Sequence, residues 1–355
     1  MAPLRVAIVG CGNIADRYGE AIAATPELTL VGATDLDLER AERLVAASGG
    51  VAYPSLEELL VDADVETVVN LTIATAHVPV TRAALAAGKH VHSEKPLALT
   101  YAGARELVAL AEERGVRLSA APSTLLGEAQ QSAWKLVRDG AIGRVRVVYA
   151  EANWGRLEDW HPDPRGLYEV GPLVDVGVYP LTIVTAMLGP VRRVQAYATT
   201  LVPEREHRHG WSFRIDAPDW VVATAELDDG VVLRLTASFY VPASKQRGLE
   251  FHGEEGSLYL PTWAEFDSRI ELQPRGADYA VVEPLRTPFH GIDWSRALTD
   301  LADAIATGRP HRSTGEHAAH VVEVLEAAQA SAAAGGASVE VGSDFRRPDP
   351  VPWAR

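Results

Sequence analysis

Three groups of residues in this chain combine types and spacing that could do chemistry. The first is Val6-Ala7-Ile8-Val9-Gly10-Cys11-Gly12-Asn13-Ile14-Ala15, which sets GxGxxA directly after an apolar run and at the opening of an amphipathic one. In that context Gly10 permits a tight turn, Gly12 lets the backbone approach a pyrophosphate, and Ala15 keeps the helix close to the sheet. Asn13 and Ile14 complete a turn whose helix N-terminus offers N–H groups and partial positive charge to phosphates. Asp35 follows twenty residues after Ala15, at the end of the second strand. A carboxylate there accepts hydrogen bonds from the adenosine ribose and repels the extra phosphate of NADP, so NAD is the expected cofactor over NADP. Asp37 is the better cap for the next helix, and Cys11 reads as a small filler.

The second group is Glu94-Lys95-Pro96. Lys95 falls just after the strand at 90–92, at the carboxyl edge of the sheet where doubly wound folds bind ligands. Pro96 restricts it to extended backbone, so it cannot begin a helix. Glu94 reads as a cofactor contact or as the lysine's ion-pair partner. Thr72 and His77 lie along the same edge, His77 in the loop after the strand, and are expected to contact cofactor or substrate.

The third group is Asp175 and Tyr179 in the stretch 171–180. Pro172 stands where a first helical residue would, and a spacing of four puts the two side chains on one helical face. Gly177, Pro180 and the valines disfavour helix, and a segment helical against its propensity is held by tertiary contacts, often around a site. The alternative is a first-turn acid and a packed aromatic. Upstream, residues 153–164 form an aromatic, proline-stiffened loop containing Trp160 and His161. His161 with Asp163 is too small a set for zinc, so no metal is expected. His207, Arg208 and His209 read as solvated.

The elements that must position these groups follow from hydrophobic periodicity. Residues 4–9, 28–34, 67–72, 90–92 and 117–120 read as strands, and 14–25, 38–48, 78–87 and 101–114 as helices, the last capped by Thr100. That alternation is the pattern of βαβ units on a parallel sheet. After about residue 122 the strands turn back on themselves: 220–227 with 231–240 around Asp228-Asp229-Gly230, then 248–252 with 257–260. Helical periodicity returns at 294–306 and 315–333 before a last strand at 338–341. The expected fold is α/β, with a Rossmann-type doubly wound domain over 1–121 and an α+β domain over 122–355 on a mainly antiparallel sheet.

A formal charge of -15 sets the chain against nucleic acid and anionic membranes, and no basic run overrides it. No stretch approaches the length needed to span a bilayer. The single cysteine excludes a disulfide framework. With no signal peptide evident, a cytoplasmic location is expected.

Residues 88–98, GKHVHSEKPLA, at this distance from an N-terminal GxGxxA, resemble the signature of the Gfo/Idh/MocA family. The likeness runs over nearly the whole chain, through 140–144, 171–189 and Thr307-Gly308-Arg309-Pro310. It implies a sugar or cyclitol substrate, a homodimer or homotetramer built on the second domain's sheet, and Lys95 at the catalytic centre. In the family the 171–180 stretch reads DxGxH, the histidine serving as acid/base beside the lysine. Here Tyr179 stands in its place, as in the family's tyrosine-bearing branches.

Tyrosine titrates near 10 in water, so work near neutrality asks for a lowering of about 2 to 3 pH units, roughly 3 to 4 kcal/mol. A lysine ammonium about 4 Å away supplies a comparable Coulomb energy at an effective dielectric of about 20. The resemblance thus implies an NAD-dependent oxidoreductase acting on a sugar, glycoside or cyclitol hydroxyl. Tyr179 would take the proton, Lys95 polarise the oxygen and Asp175 orient the substrate or lysine. Read from its own residues, the loop with Trp160 and His161 can stack on and hydrogen-bond a sugar ring, or equally serve as a lid or a dimer contact. NAD-assisted glycoside cleavage through transient oxidation and elimination, and a non-catalytic nucleotide-binding sensor, are the alternatives.

Overall fold

The computed structural model describes residues 2–355. Its contacts divide the chain into two compact units, one reaching to Ser123 and completed by Asp293–Val322, the other made of Thr124–Ile292 and Glu323–Arg355.

In the first unit, strands β1 (Leu4–Val9), β2 (Leu28–Thr34), β3 (Val51–Ala52), β4 (Thr67–Asn70), β5 (His90–Ser93) and β6 (Leu118–Ala120) form a parallel sheet ordered β3-β2-β1-β4-β5-β6. Helices α1 (Ala15–Ala23), α2 (Leu38–Ser48), α3 (Leu56–Val61), α4 (Ala74–Ala86) and α5 (Tyr101–Arg114) alternate with the strands. Alternate residues of β1 enter different cores: Val6 and Ile8 pack with Tyr18, Ile22 and Leu44, while Ala7 and Val9 pack with Val68, Leu85 and Val91. A strand buried on both faces is the mark of a doubly wound sheet. The strand order reverses between β1 and β4, and the glycine turn lies at that switch point, where such sheets bind ligands. Thr100 caps α5 by accepting from the Gly103 N–H at 3.2 Å.

Two expectations change here. The short β3 and α3, the latter capped by Ser55, escape the periodicity reading because a two-residue strand and a six-residue helix carry too little of it. The larger change is the return of residues 293–322 to the first unit, against a division that gives everything after 121 to the second. Leu298, from the helix Arg296–Thr307, is fully buried among the β1 and α1 side chains, and Ala319 and Val322, from the helix Gly315–Ala333, join the opposite core. Amphipathic periodicity shows that a helix has an apolar face but not which core receives it.

The second unit contains α6 (Glu128–Arg138), β7 (Val145–Asn153), α7 (Arg165–Val170), α8 (Pro172–Asp175), α9 (Val178–Leu188), β8 (Val191–Thr199), β9 (Glu204–Glu206), β10 (Ser212–Arg214), β11 (Trp220–Leu227), β12 (Val232–Ser238), β13 (Gly248–Gly253), β14 (Gly256–Leu260), β15 (Ile270–Pro274), β16 (Ala280–Val282) and β17 (Val339–Glu340). Nine of these strands form one sheet, ordered β16-β15-β14-β13-β7-β12-β11-β8-β17 and antiparallel except for the β12–β7 pair. Buried Val148, Ala150, Leu233 and Leu235 face the packed side, while Tyr149, Tyr197 and Val232 are exposed on the other. No helix of the described residues is long and apolar enough to cross a membrane.

Candidate active site and cofactor cradle

The glycine turn is pressed against the loop after β4. Gly10 has φ +92°, and a Cβ there would stand 2.8 Å from the Thr72 nitrogen, so only glycine fits. A Cβ on Gly12 would meet nothing within 4 Å, which leaves open space over the turn. Ile14 occupies the N-cap of α1 without a side-chain cap, and Ala15 behind it is buried. The Asp35 carboxylate is fixed by two backbone donors, accepting from the Cys11 N–H at 2.6 Å and the Asp37 N–H at 2.9 Å. It joins the glycine turn to the loop opening α2. Leu36 and Ile73, exposed at 108% and 74%, stand at the carboxyl ends of β2 and β4 on either side of that turn, apolar cover of the kind an adenine ring takes. Sequence patterning missed both, because an isolated apolar residue in a loop carries no period. Open backbone, an uncapped helix terminus, a fixed acid and two apolar flanks together fit a dinucleotide. Burial, with help from Asp35 and Asp16, pushes the Cys11 thiol up to about 12 and keeps it a neutral filler.

Lys95 is half-buried, and the backbone around it is held from both sides. The buried Glu94 carboxylate accepts the Lys95 N–H at 3.0 Å through Oε2 and the Tyr18 hydroxyl at 2.9 Å through Oε1. His77 does not stand in a loop. It lies in the first turn of α4, 1% exposed, with Nδ1 2.6 Å from the Pro96 carbonyl oxygen and Nε2 2.9 Å from that of Thr72. A neutral imidazole donates only one of these bonds, but the ring is wedged between the two carbonyls and clamps the lysine turn to the β4 loop. Asn70, which periodicity places inside the strand at 67–72 and the structure puts at its end, organises that loop: its Oδ1 accepts the Thr72 hydroxyl at 2.7 Å and its Nδ2 donates to the His77 carbonyl at 3.1 Å.

In the second unit the expected single helix over 171–180 is broken. α8 ends at Asp175 and α9 starts at Val178; across the break Gly177 N–H reaches back five residues to the Pro172 carbonyl, and a Cβ on Gly177 would strike the Leu173 carbonyl oxygen at 2.5 Å. Asp175 and Tyr179 are half-buried on either side of the break while their neighbours are buried. The Tyr179 ring packs on Trp263 at 4.9 Å, and Trp263 stacks on exposed Trp154 at 6.1 Å.

His161 is half-buried and close enough to Asp175 to feel its charge. Burial holds its pKa below the usual histidine range, against the opposing pull of Asp163 and Asp175. Its Nδ1 accepts the Asp163 N–H at 3.1 Å, so the neutral ring carries its proton on Nε2. Trp160, 45% exposed, sits beside it with rings 5.4 Å apart.

His207 is not solvated. Only 1% exposed and stacked on Trp211, it donates from Nε2 to the His161 carbonyl at 2.8 Å; Arg208 and His209 are exposed as expected. Behind this loop, buried Arg205 joins Glu158 at 2.9 Å and also Asp219, an ion cluster no local motif announces. Among the described residues no group of three or more His, Cys, Asp or Glu side chains is placed to hold a metal ion.

Residues 4–121 match the model of an oxidoreductase family with an NAD-binding Rossmann fold, and residues 130–259 match the GFO/IDH/MocA C-terminal domain. The chain belongs to the Gfo/Idh/MocA oxidoreductase family. Two curated relatives are the dTDP-3,4-didehydro-2,6-dideoxy-alpha-D-glucose 3-reductase of Streptomyces antibioticus, 34% identical over 75% of this chain and 86% of that one, and the trans-1,2-dihydrobenzene-1,2-diol dehydrogenase of Oryctolagus cuniculus, 31% identical over 85% and 89%. A solved aldose-aldose oxidoreductase from Caulobacter crescentus, complexed with glycerol, superimposes with TM-score 0.82 at 25% identity, covering 95% of this chain and 99% of its own. As a Gfo/Idh/MocA protein the chain is an oxidoreductase whose first unit is an NAD-binding Rossmann fold.

Proposed function

We propose that this family member moves a hydride between NAD and a carbon bearing a hydroxyl or keto oxygen in a sugar, glycoside or cyclitol. NAD, when bound, supplies the hydride acceptor. Tyr179 takes the hydroxyl proton, Lys95 stabilises the charge on the oxygen, and Asp175 with His161 orients the substrate by hydrogen bonds, Trp160 covering the ring. Reduction runs through the same groups in reverse.

The observation that carries this reading is the broken helix, which leaves an acid and a phenol half-buried on either side of the break in an otherwise buried segment. Relatives named for reactions on sugars and a diol support the substrate class. The test is a panel of sugars, cyclitols and glycosides at fixed NAD+, followed at the nicotinamide absorbance. NADH formation with a free sugar is expected; glycoside cleavage without NADH accumulation would replace the dehydrogenase by the eliminating enzyme.

Asp35 sets the cofactor preference. Its carboxylate is held in place by the Cys11 and Asp37 N–H groups, so it cannot swing away from a 2′-phosphate. NAD(H) is expected to bind at least about tenfold more tightly than NADP(H), about 1.4 kcal/mol, and Asp35→Ser to narrow the gap. Calorimetric titration giving equal affinities for the unaltered protein would sink the assignment.

The uncovered sheet face leads to a proposal on assembly, a homodimer or homotetramer in a reducing, cytoplasmic setting. Tyr197 is 61% exposed and Tyr149 37%, with the Arg234 guanidinium 4.1 Å above the Tyr149 ring. A broad face of this kind is a liability for a monomer. Light scattering at micromolar concentration is expected to give a dimer or larger, and Tyr197→Glu to shift it toward monomer; a monomeric unaltered protein would rule the interface out.

A further inference from the structure

Behind Lys95 lies a chain of buried polar side chains that the proposed reaction does not use. Tyr18 of α1, His92 of β5 and Ser119 of β6 are each 3% exposed or less, and Glu94 is 6% exposed. The Tyr18 hydroxyl donates to Glu94 Oε1 at 2.9 Å, which leaves the Tyr18 oxygen to accept from His92 Nε2, 3.4 Å away. His92 Nδ1 lies 2.9 Å from Ser119 Oγ. With its single proton on Nε2, neutral His92 must accept there from the serine hydroxyl. Every bond then points one way: Ser119 to His92, His92 to Tyr18, Tyr18 to Glu94. At the end, Glu94 Oε2 accepts the Lys95 N–H at 3.0 Å. Bonds aligned in this manner reinforce one another away from water.

We infer that Tyr18, backed by His92 and Ser119, is a positioning residue for Lys95, orienting the Glu94 carboxylate that holds the lysine's backbone. The inference rests on the reading of Lys95 as catalytic. Tyr18 also belongs to the helix whose N-terminus lies at the glycine turn, so it ties the cradle for the cofactor phosphates to the lysine through two side chains. Without the phenol oxygen, one oxygen of a buried carboxylate loses its donor, and Glu94 reorients to recover one. The lysine turn follows it.

The test is a double-mutant cycle on the full chain, using a substrate from the panel, with NADH affinity read by fluorescence and thermal stability recorded in parallel. Tyr18→Phe is expected to lower kcat about tenfold, the scale of a modest misplacement of a reacting group, while the NADH Kd moves less than about threefold. In a Lys95→Ala background the same change is expected to alter kcat by less than about twofold, because its target is gone. Ser119→Ala, which removes one oxygen at the far end, should act in the same direction by about two- to threefold, and decides the matter if Tyr18→Phe does not fold.

A severe Lys95→Ala with a Tyr18→Phe of near-normal kcat overturns the positioning role alone. So does an equal loss in both backgrounds, which would mark a general structural effect, or a loss confined to NADH affinity. A mild Lys95→Ala overturns the reading of the lysine and this inference with it.

Discussion

Tyr179→Phe is expected to lower kcat by about 10² to 10⁴, the range typical of lost general acid/base catalysis, with the fold intact. The fold survives because the ring, which packs on Trp263 at 4.9 Å, is retained and only one oxygen of a half-buried residue is removed. Lys95→Ala is expected to cost at least as much. Its backbone stays in place through the Glu94 carboxylate and the His77 clamp, and NAD affinity should remain within a few-fold because the proposed phosphate cradle, residues 10–15, is left untouched. The double variant should be little worse than the poorer single one, since groups that act as a unit are not additive. Steady-state kinetics on the three variants checks all of this. A Tyr179→Phe enzyme with near-normal kcat would make the tyrosine a partner for Trp263 and nothing more, and would turn attention to His161. Two mild, additive singles would refute the mechanism while leaving the fold untouched.

Mild acid is expected to unfold the protein through the histidines buried in its first unit. Burial holds His92 at about 4 and His317 at about 3, with neighbouring His311 and His320 depressing them further. In the unfolded chain both titrate near 6.5. Since the folded values are lowered, the unfolded state binds more protons below pH 6.5, and stability falls as pH falls toward the folded values. Each histidine contributes a loss of about 1.4 kcal/mol per pH unit well below 6.5, so two of them remove about 5 kcal/mol by pH 4.5. That is comparable to the whole net stability of an ordinary domain, about 5 to 15 kcal/mol. Denaturant titrations at pH 7.5, 6.0 and 5.0 should show the midpoint dropping steeply, and His317→Gln should roughly halve the slope whatever it does to stability at pH 7.5. A midpoint independent of pH over that range would contradict the assignment.

The parts of the site that were legible in the sequence are those whose geometry is made by a few consecutive residues. A GxGxxA turn, an acid at the end of the next strand, and a threonine three residues before the glycine it caps each state their own conformation. The parts that were not legible are made by partners far apart along the chain. His77 looks like any loop histidine until the Pro96 carbonyl, 19 residues on, is seen at its Nδ1. Arg205 and Glu158 are separated by 47 residues, and nothing in the neighbourhood of either suggests that both are buried. His207 sits among exposed residues in a polar loop, and only the ring of Trp211 and the carbonyl of His161 take it out of water. The break between α8 and α9 is a middle case. The unfavourable propensities of Gly177 and the valines were visible, but whether such a segment bends or stays straight depends on what packs against it.

The return of residues 293–322 to the first unit bears on how the chain matures on the ribosome. The strands and helices before Ser123 emerge first, yet the core around β1 and α1 lacks Leu298 until every strand from β7 to β16 has been made. At about 5 to 20 residues per second, that interval lasts on the order of 10 to 30 seconds. During it the nascent Rossmann half exposes the apolar surface that Leu298, Ala319 and Val322 will later cover. The half that binds NAD begins synthesis first but is completed late, and a chain stalled or cut anywhere between 123 and 293 leaves that half with two open seams in its cores.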